Sequence, residues 1–129
     1  MKVLVVDDDP VTRRILRQII TTELKGEVIE AANGMVALDT VSREAPDAVI
    51  LDLQMPGFDG VETLATLRAW RHTKHLPVIV LTSQTDERIV RRCLSLQVTA
   101  YLAKPLQPEI VRDRLHGIAA TLAAPRIAS

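Results

Sequence analysis

Aspartates, hydroxyls and a lysine stand directly after the apolar runs of this 129-residue chain. Asp7 and Asp8 follow Val3 to Val6, Asp52 follows Ala48 to Leu51, Thr82 and Ser83 follow Val78 to Leu81, and Lys104 follows Ala100 to Ala103. If those runs are parallel strands, all four positions fall at strand carboxyl ends, where open α/β sheets form their ligand crevice. Carboxylates gathered there repel one another, so either some are protonated or a cation sits among them. Oxygen donors without cysteine or histidine favour Mg²⁺, with Mn²⁺ acceptable to the same set. A hard cation with open positions implies a phosphoryl substrate. Lys104 can neutralise one phosphoryl oxygen as a point charge and Thr82 can donate a hydrogen bond to another. Asp52 is left as the nucleophile, since a carboxylate can carry a phosphoryl group as an acyl phosphate.

The elements that must bring these groups together are legible as periodicity. Short β-branched runs, apolar throughout instead of alternating, belong to strands covered on both faces, and Val28 to Ile29 adds a fifth. Between them lie segments of helical spacing: Ile15, Leu16, Ile19 and Ile20 backed by Arg13, Arg14 and Arg17; Ala37, Leu38 and Val41; Val61, Leu64 and Leu67; Ile89, Val90, Cys93 and Leu94; Val111, Leu115, Ile118 and Leu122. Asp9 and Pro10 suit the start of the first helix, Gly26 its end, and Pro108 the start of the last. Five strands alternating with five helices predict a (βα)5 chain in a three-layer α/β sandwich, one domain over 1–123 with a short tail at 124–129.

Composition removes several function classes. Sixteen Lys plus Arg balance sixteen Asp plus Glu, so a polyanion binder relying on bulk positive charge is excluded. Phe58, Trp70 and Tyr101 are the only aromatics, which leaves an aliphatic core and no stacking platform for single-stranded nucleic acid. A single cysteine, Cys93, allows no internal disulfide or cysteine-based zinc cage, and a reducing compartment fits. Asp7 to Asp9 interrupt the first apolar run before it could act as a signal peptide, and no run reaches the length of a membrane span. The expectation is a cytoplasmic protein that engages neither nucleic acid nor membrane.

The runs Val5-Val6-Asp7-Asp8-Asp9-Pro10, Leu51-Asp52-Leu53-Gln54-Met55-Pro56-Gly57-Phe58-Asp59-Gly60, Val80-Leu81-Thr82-Ser83 and Tyr101-Leu102-Ala103-Lys104-Pro105 resemble the signature of CheY-like receiver domains of two-component response regulators. They occur in order, with 30 residues from Asp52 to Thr82 and 52 from Asp52 to Lys104. The resemblance implies a flavodoxin-like parallel sheet of strand order 2-1-3-4-5. It implies that Asp52 accepts a phosphoryl group from a sensor histidine kinase or a histidine phosphotransfer protein. Asp8, Asp52 and the backbone carbonyl of Gln54 would ligate Mg²⁺, Asp7 would hold the ion through water, and Lys104 would bind the phosphoryl group, its bond to Pro105 being cis. Thr82 and Tyr101 match the switch pair, which would alter the face of the fourth helix, fifth strand and fifth helix for a downstream protein or a second copy of the chain. Gln54 and Gln84 match flanking positions that tune access of hydrolytic water. A receiver of this kind also catalyses its own phosphoryl uptake and hydrolysis.

Taken singly the motifs are plain: acids at a helix start, a strand-to-helix cap, a turn. Cys93 reads as a small core residue, His72, His75 and His116 as solvated, and Trp70 as the end of an apolar face on the third helix. Arg88, Arg91 and Arg92 form the polar side of the fourth helix, a solvated surface or a basic docking patch. Gln97 and Val98 depart from the glycine and alanine usual at the end of that helix. A left-handed glutamine would cost on the order of 1 kcal/mol, so the helix is expected to end differently. Three rivals remain: a haloacid dehalogenase-type phosphohydrolase using Asp7 and Asp9, a flavodoxin-like cofactor binder, and a receiver-like scaffold that is never phosphorylated. The first needs a further acidic pair after Lys104 and finds only Glu109 and Asp113 in a helix. The second needs Ser, Thr and Gly where three acids stand.

Overall fold

The computed structural model of the chain describes residues 1–55, 60–83 and 87–123, the last two without their side chains. Phe58, Asp59, Gln84, the side chain of Leu122 and the stretch 124–129 lie outside the described residues. The elements are β1 (Lys2–Val6), α1 (Pro10–Glu23), β2 (Glu27–Ala31), α2 (Gly34–Glu44), β3 (Ala48–Asp52), α3 (Gly60–Ala69), β4 (Val78–Thr82), α4 (Glu87–Ser95), β5 (Ala100–Ala103) and α5 (Pro108–Ala123). All pairings are parallel and the strand order is β2-β1-β3-β4-β5. The (βα)5 sandwich expected from the pattern, with the flavodoxin-like strand order that the resemblance implies, is the fold observed.

Alternation along each strand divides the apolar residues between two cores. Leu4, Val6, Val49, Leu51, Val78 and Val80 face one way and pack on α2, α3 and α4 through Ala37, Val41, Leu64, Leu67 and Cys93. Val3, Val5, Ala48, Ile50, Ile79 and Leu81 face the other way and meet Leu16, Ile19 and Ile20 of α1 and Val111, Leu115 and Ile118 of α5. The central strands are therefore buried on both sides, which is why they read as unbroken apolar runs. Cys93 is fully buried, as a small core residue should be.

The helix starts follow their caps. Asp9 accepts the Val11 N–H at 2.9 Å ahead of Pro10, and Asn33, which the sequence pattern did not single out, accepts the Val36 N–H at 2.9 Å. The helix ends correct the expectations. After α1 the left-handed residue is Lys25 (φ 51°), not Gly26. Gly26 is required for another reason: a Cβ there would stand 2.9 Å from Ile20 Cγ2 and 3.0 Å from the Met1 carbonyl oxygen. At the end of α4 the left-handed turn persists with Gln97 (φ 57°), so this helix does not end differently but closes as it would with glycine. Its cost is offset by Arg68 of α3, whose guanidinium donates to the carbonyls of Leu96 (2.7 Å), Gln97 (3.0 Å) and Leu76 (2.7 Å).

Two further expectations are revised. Leu94, expected on the apolar stripe of α4, is 65% exposed; the stripe runs through Ile89, Cys93 and Leu96, and Leu94 lies about 100° round the helix from Cys93. Trp70 lies beyond the end of α3 at Ala69, and its ring stacks on His72 with centroids 5.5 Å apart. Ile15, on the stripe of α1, is 39% exposed and only edges the core.

Replacing Gln97 with glycine removes a side chain from a left-handed backbone and leaves the carbonyl that Arg68 grips. Gln97→Gly is expected to raise stability by about 0.5–1 kcal/mol in urea denaturation, and a loss of stability would show that the glutamine side chain supports the turn.

Candidate functional site

Four strand ends converge at one edge of the sheet. Asp7 directly follows β1 and is fully buried, its N–H donating to the Ala31 carbonyl at 3.1 Å. Asp8 is exposed beside it. Asp52 and Thr82 are the last residues of β3 and β4, each 1% exposed, and Lys104 follows β5. Parallel register sets this convergence, with Asp52 beside Leu81 and Thr82 beside Ala103. Continuing the ladder, the Lys104 N–H donates to the Thr82 carbonyl at 2.9 Å and the Leu53 N–H to that of Leu81 at 3.0 Å. The Lys104–Pro105 peptide is cis.

The charges are close. Asp7, Asp8 and Asp52 each offer a carboxylate oxygen within 4.8 Å of the others. Lys104 Nζ lies 3.1 Å from Asp7 Oδ2 and 3.3 Å from Asp52 Oδ2. Asp7 Oδ1 accepts the Asp9 N–H at 2.8 Å, and Asp52 Oδ1 accepts the Gln54 N–H at 3.0 Å. Burial pushes the Asp52 carboxyl above its ordinary value; the Gln54 N–H opposes this, the negative Asp7 adds to it, and Lys104 counters again. Lys104 moves up as well: burial disfavours its ammonium, but the hydrogen bond to Asp7 and the charge of Asp52 outweigh that. Asp9, at the helix start, is held low chiefly by the Val11 N–H.

With all three acids ionised and one lysine between them, the pocket carries two net negative charges. This donor set consists of hard oxygens, two buried and one open to solvent, at a spacing that suits a divalent ion. The residues present therefore fit Mg²⁺. The same cluster can accept a phosphoryl group, because Lys104 already stands against Asp52 and Thr82 ends the adjoining strand.

The structure also shows contacts around the site that the sequence pattern left in the background. Arg13, read only as the polar backing of α1, donates Nη1 to the Asp7 carbonyl at 2.6 Å, and its Nε meets Glu30 at 3.1 Å. Arg17 holds the other oxygen of Glu30 at 2.6 Å. Gly60 opens α3 against the backbone of Asp52: a Cβ there would fall on the Asp52 carbonyl oxygen and 2.5 Å from Leu53 Cα. Any larger residue must push the helix off the acid. Ser83 donates both its N–H (2.8 Å) and its hydroxyl (2.6 Å) to Gln54 Oε1. No one-dimensional signal marks the contact of Arg13 or the hydrogen bonds between Gln54 and Ser83, whereas Gln54, Ser83 and Gly60 themselves sit within the quoted motifs.

Tyr101 lies on β5 beside Val80, half-buried against the core that also takes α4. Thr82, two residues past Val80, belongs to the same face of the sheet. A cavity of about 290 Å³ opens beside Tyr101, Lys104, Pro105, Ile110 and Arg114 on the side of β5 and α5. Gln84 lies outside the described residues.

A family model described as response regulator receiver domain matches residues 3–116. A chemotaxis protein CheY homolog of Campylobacter jejuni is 31% identical over 122 residues, covering 94% of each chain. Sporulation initiation phosphotransferase F of Bacillus subtilis is 33% identical over 112 residues, 87% of this chain and 88% of that one. Among solved structures, a putative response regulator from Chloroflexus aurantiacus is 34% identical with a TM-score of 0.84, covering 92% of this chain and 97% of its own.

Because its pKa is raised on folding, Asp52 makes stability fall as pH rises from the usual carboxylate range through its folded value, and the full penalty applies above that. Without divalent ions at neutral pH, Asp52→Asn is expected to stabilise the protein by on the order of 1 kcal/mol, a few degrees in Tm. The gain should fade as pH falls through the folded value of Asp52 and be gone below the ordinary carboxylate range. Calorimetric scans across pH check this, and a less stable variant at neutral pH would contradict the geometry.

Proposed function

The chain belongs to the response regulator receiver family of two-component signalling, and we propose that it is a switch in which Asp52 takes a phosphoryl group from a histidine kinase or a histidine phosphotransfer protein. The observation that carries this is the buried Asp52 carboxylate with Lys104 at 3.3 Å and two further acids within 4.8 Å. In the transfer a carboxylate oxygen of Asp52 attacks the phosphorus of a phosphohistidine. A P–O bond forms as the P–N bond breaks, and its electron pair stays on the departing imidazole. Lys104 would neutralise charge on a phosphoryl oxygen, and the Thr82 hydroxyl would donate to another. Asp8, Asp52 and the Gln54 carbonyl would hold Mg²⁺, with Asp7 assisting through water. The ion supplies charge neutralisation between the acids and the incoming phosphoryl group.

Output follows from the same contacts. Drawing Thr82 toward a phosphoryl group changes the space beside Tyr101 on the shared face of β4 and β5, and so biases the packing of α4, β5 and α5. That face, with its cavity beside Tyr101 and Lys104, is the docking surface for a downstream protein or a second copy of the chain. The receiver comprises residues 1–123. A cytoplasmic location suits a histidine-kinase partner, and among the described residues no helix is long and apolar enough to cross a membrane. Family membership sets aside the dehalogenase and flavin-binder readings.

Incubation with acetyl phosphate and Mg²⁺ is expected to add the mass of one phosphoryl group. The adduct should vanish in Asp52→Asn and on chelation of the ion, and should form about ten- to a hundredfold more slowly in Lys104→Met. No adduct on the wild-type chain would leave it an interaction scaffold.

A further inference from the structure

The two donors of Ser83 are spent in an unusual place. Ser83 is the first residue after β4, next to Thr82 and one strand across from Asp52. Its N–H and its hydroxyl both point at a single acceptor, Gln54 Oε1, at 2.8 and 2.6 Å. A backbone N–H can only donate, so the Gln54 amide must present its oxygen to Ser83 and turn its NH2 away. Gln54 is also tied at its main chain, where its N–H holds Asp52 Oδ1 at 3.0 Å. One residue therefore grips the acid with its backbone and crosses to the neighbouring strand end with its side chain. Among the described residues it is the side-chain link between the loop after β3 and the loop after β4.

A phosphoryl group on Asp52 presents three peripheral oxygens that need partners. Lys104 and a cation among the acids answer for two. The remaining side adjoins the end of β4, where Thr82 and Ser83 carry the neutral donors. We propose that the Gln54 side chain is a latch that competes with the phosphoryl group for the Ser83 donors, and that phosphorylation releases it. The inference rests on phosphorylation of Asp52 as proposed above. The exchange runs downhill because a donor shared with an anionic oxygen binds roughly twice as strongly as one shared with a neutral amide. Gln54 is thus a positioning residue: in the unphosphorylated chain it holds the two loops together, and its release transmits the event to the start of α4.

The test uses beryllofluoride with excess Mg²⁺ as the phosphoryl probe, on wild-type protein and on Gln54→Met, which keeps the side-chain length but offers Ser83 no oxygen. Gln54→Met is expected to bind the probe about two- to tenfold more tightly, the range of one exchanged hydrogen bond. In ¹⁵N–¹H spectra the Ser83 amide should shift between wild type and Gln54→Met in the free proteins, and this difference should narrow once the probe saturates both. A general loosening of the loop would not produce that convergence. Equal or weaker binding by Gln54→Met, or a Ser83 amide that ignores the substitution in the free protein, overturns the latch. If wild type binds the probe and Asp52→Asn does not, those results count against the latch alone; if wild type fails to bind, the phosphorylation of Asp52 falls with it.

Discussion

Mutual repulsion of carboxylates in a sheltered crevice is the constraint from which this molecule is built outward. At ordinary separations two like charges cost little in water and several times more near protein, where the effective dielectric is lower. Asp7 and Asp52 are both buried, and Lys104 bridges them while Asp8 remains at the rim. The protein tolerates this by supplying a main-chain N–H to each buried acid and one ammonium to both, which leaves a deficit of positive charge. A divalent cation would fill that deficit, and in the proposed function it would also offset the charge of an incoming phosphoryl group.

Maintaining such a cluster demands a stiff frame, and the parallel sheet provides it. Each contributing side chain sits at a strand end or within two residues of it, so a slip of one residue in any strand would turn the acid or hydroxyl away. The two apolar cores hold that register from both faces. Local fastenings then fine-tune the mouth: Arg13 on the Asp7 carbonyl, Lys104 N–H on the Thr82 carbonyl, and the bare backbone of Gly60 against Asp52. At the opposite end of α4, Arg68 fastens the carbonyls of Leu96 and Gln97 and permits a left-handed glutamine. The moving part proposed for signalling is in this way anchored at its far end.

Much of this was legible in one dimension, for physical reasons. Strands covered on both faces must be apolar throughout, so β1, β3 and β4 announced themselves, and polar residues directly after them had to lie at the crevice. The same argument points to Asp7, Asp52 and Thr82, and, after the weaker run of β5, to Lys104. What stayed hidden depends on contacts across long sequence separations. Arg13 looks like any surface arginine until β2 brings Glu30 beside it, and Arg68 until the end of α4 arrives. Helix ends misled because glycine is only one way to close them: Lys25, Ala45 and Gln97 take positive φ without it, and Gly26 serves close packing instead. Leu94 shows that a short amphipathic segment specifies a face only to within one residue.

The central claim, that the three acids share one site whose charge calls for a divalent ion, is tested most directly by calorimetric titration of the chain with Mg²⁺ in buffers of different ionisation enthalpy. One ion should bind per chain, with protons released on binding as the pH is lowered into the range where Asp52 takes up its proton, and with affinity falling in step. Absence of binding near neutral pH, or binding with neither proton release nor dependence on Asp52, would contradict it.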